Sequence, residues 1–421
     1  MSTIRALLIV GLLSCASAAI VGLASRAPAE IRNAKPGPEA TDPSLGAKFT
    51  DEQIARHGIY RRAGYIGFVL GVILEIVVLV LLARGPFGRL VASVEKWPGG
   101  LVVHAAAVGA AVAIITTVAA LPLSFVRGYV IAKAWGLSTQ NLAGWFSDLA
   151  KGLGIGAVMA GVAALAFFAI VRWQPRAWWI VGFAAFSALS VLLVWLYPVA
   201  IAPIFNNFTP LKDPVLTERI MDLASKAGVE VDEVLVADAS RRTTSENAYV
   251  AGLGPTKQVV VYDTLLVSGG EDETAFVVAH ELGHQRENHV VKSLLFSFVG
   301  LLAGFGVLKL LSARAGVWEW GGASDISDLR ALPVLLLFAV IAGLLTLPVQ
   351  NTVSRGFESR ADEIAIDLTG DPATAVRSFR RLAFSNLADL RPPRLAVILL
   401  FTHPPIPERI EKALAAMPGG P

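Results

Sequence analysis

The chain has 421 residues, of which 54% are hydrophobic and only 16% charged, with a formal net charge of +3 and a single cysteine, Cys15. Soluble domains carry about 25% charged residues, so the composition excludes a string of ordinary soluble domains and points to a chain that crosses a membrane repeatedly. The small net charge and the lack of a polybasic run argue against a nucleic-acid partner. One cysteine excludes both an internal disulfide and any cysteine-rich zinc site, which leaves histidine and carboxylate to hold a metal.

Seven stretches, about residues 4–25, 64–83, 101–125, 152–171, 178–204, 291–312 and 331–350, are apolar over the roughly 20 residues that a helix needs to cross a bilayer. The first is read as a retained helix. Arg5, the apolar core and the small residues Ala16, Ser17, Ala18 and Ala19 would also suit a signal peptide. Leu12-Leu13-Ser14-Cys15 is similar to a lipoprotein cleavage box, but the apolar run continues past the cysteine. Glu75 lies inside the second span, where a bare carboxylate is costly, so it is expected to face the interior or a partner such as Arg127 or Lys133. Pro122 and Pro198–Pro203 predict that the third and fifth spans bend or stop early. With seven spans, the connections 26–63, 126–151 and 205–290 share a side with the tail from 351. That side holds most of the 36 Lys and Arg, and the positive-inside rule places it in the cytoplasm.

Two of these segments are polar enough to fold in water. In the first, residues 214–227 carry Leu216, Ile220, Leu223 and Ala224 at helical spacing, stopped by Gly228. Val234–Ala237, Ala248–Ala251 and Gln258–Tyr262 read as short strands. The second, from about Asn351, reads as helices with loops. The organisation is thus a membrane region of about five helices over 1–204 and a catalytic segment over 205–290. Two more membrane helices follow over 291–350, with a C-terminal catalytic segment over 351–421. Neither polar segment can bury much core alone, so they are expected to pack together against the membrane helices.

The sharpest signal is Ala279-His280-Glu281-Leu282-Gly283-His284. On a helix, residues four apart share a face, so both imidazoles reach one metal ion. Glu281 is placed to take a proton from a water that zinc makes acidic, with a pKa of about 7. Gly283 is expected to keep the helix surface low beneath the metal, at about 1 kcal/mol of helix propensity. Gly269-Gly270 followed by Glu271, Asp272 and Glu273 marks a helix start. From there one helix is expected to run through the motif into the span 291–312.

Two histidines leave a catalytic zinc one protein ligand short. Glu358 is a candidate, with Asp362 on the same helical face as an acceptor for a ligand histidine. A solvated face, with both carboxylates paired to arginines, accounts for the spacing equally well. His289 lies five residues beyond His284, about 140° around a helix of period 3.6, and is not expected at the same site.

The chain resembles the CAAX prenyl protease 1 family, integral-membrane zinc metallopeptidases of the gluzincin type. The likeness rests on Tyr197-Pro198, Ile201-Ala202-Pro203-Ile204-Phe205-Asn206 and Phe208-Thr209-Pro210-Leu211. It continues in Asp238-Ala239-Ser240-Arg241-Arg242, Asn247-Ala248-Tyr249, Tyr262-Asp263-Thr264-Leu265-Leu266 and the HExxH segment. Ser354-Arg355, Glu358, Ala361-Asp362, Thr402-His403-Pro404-Pro405 and Glu408-Arg409-Ile410 complete it. The resemblance implies a mainly α, integral-membrane fold of seven helices around a water-filled chamber, with a small α/β metalloprotease unit. It implies one zinc ion per chain on His280, His284 and Glu358. It also singles out Asn247, Ala248 and Tyr249 as an edge to which an extended substrate adds a strand. His403 and Arg409 match positions near the metal, where a cation or donor would stabilise the oxyanion of a cleaved amide. His403 before two prolines would otherwise simply anchor the tail.

The name-giving family members act on prenylated C-terminal peptides. The Ala-, Gly-, Val- and Arg-rich usage suggests a bacterium of high genomic GC content, hence a bacterial cell membrane and substrates that are peptides or unfolded, membrane-associated polypeptides. A site-2-type intramembrane protease would need an Asp ligand in a later span, and the sixth and seventh spans lack one. A transporter or scaffold with a structural zinc site would need a fourth protein ligand, for which His289 or His403 are available.

Overall fold

The computed structural model describes residues 3–34, 42–252 and 257–418. Residues 35–41 of the connection expected over 26–63, and residues 419–421 of the tail, lie outside the described residues. Seven of the described helices are long and apolar enough to cross a bilayer, as the composition requires. The first is α1 (Thr3–Ala24). The second, α2 (Asp51–Arg84), starts well before its apolar part. Thr50 and Gln53 close a reciprocal cap over its first turn, which satisfies amides that the helix itself leaves free. Its 34 residues reach about 51 Å, against a hydrocarbon core of about 30 Å. Several turns of α2 therefore project beyond the membrane.

The prolines do not end their spans. α3 (Gly100–Phe125) carries Pro122 inside it and continues through a π-helical turn, Val126–Ile131, to Ala134. After α4 (Leu142–Trp173), α5 (Trp178–Leu196) likewise passes through a π-helical turn at Tyr197–Ile201 and runs on to Phe205. A wider turn lets the backbone accommodate the missing proline amide without breaking. α3 and α4 pack most closely through small residues. A Cβ on Gly109 would fall 2.5 Å from the Ala160 carbonyl, and one on Gly161 would fall 2.9 Å from that of Ala106. This is how helices associate in lipid, where small side chains let backbones approach. Packing runs from α4 to α5 and from α5 to α8 (His289–Ser312), while α1 lies against α2 and α3. Glu75 is exposed, and among the described residues no ion pair reaches it. Lys133, an expected partner, donates instead to the Gln140 carbonyl.

The polar segments build one unit. β1 (Phe208–Pro210), β2 (Glu233–Ala237), β3 (Ala248–Ala251) and β4 (Gln258–Tyr262) form a sheet of order β1-β2-β4-β3. β2 and β4 are parallel, and the two outer pairings are antiparallel. β3 is thus an edge strand. α6 (Pro214–Ala227), α7 (Glu271–Arg286), α10 (Pro372–Ser385) and α12 (Ile406–Ala415) share one core with the sheet, and α11 (Arg394–Leu400) precedes α12. Their shared core contains Ile220, Val259, Phe276, Leu282, Phe379 and Ile410. It draws on residues before and after the last membrane helix, as two segments each too small to fold alone must do.

α9 (Leu332–Thr369) joins the two regions. Its 38 residues make a rod of about 57 Å, with an apolar N-terminal half and a C-terminal half that enters the shared core through Ala365. The span expected over 331–350 is therefore only its first half.

Candidate active site

α7 begins after Gly270 with Glu271, Asp272 and Glu273 in its first turn. There Asp272 pairs with Arg219 at 2.6 Å. Glu273 pairs with Arg381, which also reaches Glu246 at 3.0 Å. Glu246 immediately precedes Asn247, so this buried cluster ties the edge of the sheet to the start of the motif helix.

α7 carries His280, Glu281 and His284, and α9 lies against it. Gly283 is where the two helices meet. A Cβ there would stand 3.2 Å from both Cα and O of Ala361 and 3.4 Å from Cβ of Ile364. The residue does not lower the helix surface beneath a metal, as its position in the motif suggested. It admits the backbone of α9, and Glu358 and Asp362 arrive with that backbone.

One nitrogen of His280, one of His284 and one oxygen of Glu358 all lie within 4.8 Å of one another, the only such group of three or more found among the described residues. Nε2 of His280 is 3.2 Å from Nε2 of His284 and 3.2 Å from Oε2 of Glu358. His284 Nε2 is 3.4 Å from Glu358 Oε1. Yet Oε2 of Glu358 is buried with no properly formed hydrogen bond. Lone pairs that converge without donors between them are what a cation requires, and two histidines with one carboxylate are a donor set that suits zinc.

Behind this group, Asp362 Oδ1 stands 2.8 Å from His280 Nδ1. Arg409 donates to both oxygens of Asp362, through Nε at 2.8 Å and Nη2 at 2.6 Å. Its guanidinium also lies over the Phe379 ring. Arg409 is therefore held against Asp362, one step behind the histidine. Burial opposes its charge, but the Asp362 carboxylate outweighs that and holds its pKa above the usual value. Burial likewise opposes a proton on His280, while Asp362 and Glu358 push its pKa up to about 10. Desolvation raises the Glu281 carboxyl, with the two histidines acting against it.

A cleft of about 360 Å³ opens onto these groups, lined among others by Asn247, Glu281, Phe401, His403 and Arg409. His403 Nε2 lies 3.1 Å from Glu358 Oε2, and the side chain is 55% exposed. Enclosure in the cleft lowers its pKa, against the pull of Glu358. Asn247 is exposed just before β3, and its carbonyl accepts from the amide of Tyr262 at 3.0 Å. Ala248 is buried in the shared core, and Tyr249 packs edge-on against Tyr262.

Two features escaped the sequence reading. The helix expected to run unbroken from the motif into the next span stops at Arg286, Asn288 adopts φ 54°, and α8 restarts at His289. Asparagine tolerates this left-handed conformation. The reversal brings His289 Nδ1 to 2.9 Å from His284 Nδ1, where an unbroken helix would have carried it away. The second feature is a polar stripe on α2. His57 Nδ1 donates to Ala388 O at 2.7 Å, Arg61 donates to Leu387 O at 2.6 Å and Asn386 O at 2.9 Å, and Tyr65 donates to Asp389 at 2.7 Å. Their four-residue spacing, which puts them on one face of α2, was the available signal. The stripe holds a stretch of cleft wall in which Leu387 has φ 45°.

Residues 210–417 match the family described as peptidase family M48, and residues 31–207 match the CAAX prenyl protease N-terminal region of five membrane helices. An uncharacterized metalloprotease of Bacillus subtilis, YhfN, is 33% identical over 71% of this chain and 71% of its own. The CAAX prenyl protease 1 homolog of Oryza sativa is 31% identical over 73% of each chain. The crystal structure of S. mikatae Ste24p superposes with a TM-score of 0.79 at 23% identity, covering 96% of this chain and 98% of that one, a likeness of fold. These matches make the protein an integral membrane metalloprotease, a metal-dependent peptide-bond hydrolase, and the chain belongs to peptidase family M48, among the CAAX prenyl protease 1 proteins.

Proposed function

We propose that the chain is a zinc endopeptidase whose metal is held by His280, His284 and Glu358, and that it hydrolyses peptides and unfolded or membrane-associated polypeptides. The observation that carries this reading is the convergence of two imidazole nitrogens from α7 with a carboxylate oxygen from α9, Oε2 of that carboxylate being buried without a hydrogen bond. Zinc bound there would act as a Lewis acid, making a water acidic and polarising the scissile carbonyl.

The rest is done by side chains. Glu281, one residue from the first ligand and facing the cleft, takes a proton from the attacking water and delivers it to the leaving amine. Its raised pKa suits both halves of that task. His403, open to the cleft, donates to the oxygen that becomes negative. Asp362 orients His280, and Arg409 keeps Asp362 ionised and in place. An extended substrate pairs with the edge at Asn247, Ala248 and Tyr249, bonding backbone to backbone with little regard for side chains. The segments 205–290 and 351–421 act as one catalytic unit on the cytoplasmic side of a bacterial cell membrane. The relatives named CAAX prenyl protease 1 make prenylated C-terminal peptides one substrate class to compare with unmodified chains.

The test is cleavage of an unfolded reporter by detergent-purified wild type and Glu281→Gln, with zinc measured in both. Equal zinc with at least about 100-fold slower cleavage by the variant is expected for loss of a general base. Retained turnover in Glu281→Gln would overturn its assignment as the base.

A further inference from the structure

The two candidate histidine ligands are supported differently. His280 turns its outer nitrogen to a carboxylate, Asp362. His284 turns its outer nitrogen to a third imidazole, His289, at 2.9 Å between the two Nδ1 atoms. His289 is 4% exposed. Its ring is stacked on Phe357, with centroids 4.3 Å apart and planes at 16°, and stands at 71° to the His284 ring. Phe357 immediately precedes Glu358. One buried side chain thus touches both the helix that carries the histidines and the helix that carries the carboxylate. Near it, Glu287 pairs with Arg360 of α9 at 3.2 Å and with Lys292 of α8 at 3.0 Å, so the junction between α7 and α8 is tied to both α9 and α8.

We propose that His289 is a positioning residue for the metal centre, accepting the Nδ1–H of His284 while resting on Phe357. The inference depends on the reading of His280, His284 and Glu358 as zinc ligands. Two imidazole nitrogens at this distance need one proton between them. If His289 accepts it, His284 keeps the tautomer whose free lone pair is on Nε2, the atom that faces His280 and Glu358. The acceptor is neutral, so His284 is oriented without adding a third buried carboxylate to a site that already holds Glu358 and Asp362. The left-handed turn at Asn288 makes this contact possible, because it places the first residue of a membrane helix against the last ligand of the motif. Partners of this kind fix the ring and tautomer of a ligand, and their loss typically weakens metal binding by about 10–100-fold.

The test uses the full chain in detergent, with zinc affinity measured by competition against a chelator of known affinity and folding followed by thermal unfolding. His289→Phe keeps the stack on Phe357 but removes the acceptor, and His289→Asn restores an acceptor oxygen near the Nδ1 position. We expect zinc affinity to fall about 10–100-fold in His289→Phe and to recover most of the way in His289→Asn. Wild-type affinity in a folded His289→Phe would overturn the proposal and leave His289 a packing residue. Should His289→Phe fail to fold, His289→Ala against His289→Asn decides, and equal weakening of the two would overturn it. A wild type that takes up no zinc would instead overturn the zinc reading on which the proposal rests.

Discussion

Asp362 and Arg409 show how two buried charges can serve a third group. Each is under a tenth exposed, and their two hydrogen bonds leave neither ion unpaired. Removing one partner of such a pair strands the other in a poorly solvated place, typically at about 3–5 kcal/mol. Arg409→Met is therefore expected to destabilise the protein by that amount, measured by thermal or denaturant unfolding in detergent. Asp362→Asn, close in shape but uncharged, leaves the buried Arg409 without its counter-ion, so it is expected to cost stability on the same scale and also to weaken zinc about 10–100-fold through His280, measured by chelator competition. If Arg409→Met left stability unchanged while slowing turnover, Arg409 would belong with the groups that meet substrate. At this scale the sequence was most informative where spacing is local. His280 and His284 four apart, and Glu358 and Asp362 four apart, share faces on any helix. What no spacing discloses is that Arg409, 47 residues beyond Asp362, closes on that carboxylate.

Between elements, the decisive contact is the crossing of α7 and α9 at Gly283. The periodicity of each helix is readable from its own residues, but which faces meet, and how closely, depends on the partner. The HExxH motif therefore announced a helix without announcing that its glycine faces Ala361 instead of the metal. The same limit explains the missed break at Asn288. Apolar periodicity on either side is compatible with one continuous helix, and only the tertiary contact of His289 with His284 and Phe357 rewards the left-handed residue. The crossing gives a graded prediction. In Gly283→Ala the new methyl group meets backbone atoms at 3.2 Å, which offsets part or all of the roughly 1 kcal/mol that alanine gains in helix propensity. Gly283→Val adds a branched side chain and must drive α9 outward, carrying Glu358 away from the histidines. We expect Gly283→Val to lose stoichiometric zinc, and Gly283→Ala to keep it with lower affinity, both read by metal analysis after gel filtration. Full zinc retention in Gly283→Val would show that the crossing does not set the ligand geometry.

For the whole molecule, the open matter is which side of the membrane the catalytic unit faces, and α1 decides it. A cleaved secretory signal delivers the residues after it to the outer face, whereas a retained α1 with its N-terminus outside delivers them to the cytoplasm. α1 is packed into the bundle. Ser14, Ser17, Ala18 and Val21 are all buried at helical spacing, and Val21 shares a small core with Ala63, Leu123 and Trp135. Removing it would expose that core, and the bias of Lys and Arg toward the catalytic side points the same way. The helix count and the buried face of α1 therefore support one orientation together. In a Cys15→Ser background, single cysteines at exposed Glu230 and Glu411 would mark the catalytic side, and one at exposed Glu319 the opposite side. In intact cells, a membrane-impermeant maleimide is expected to label Glu319→Cys alone, with Glu230→Cys and Glu411→Cys reacting only after lysis. The reverse pattern would place the protease on the outer face and would mean that α1 is removed or inserted the other way round.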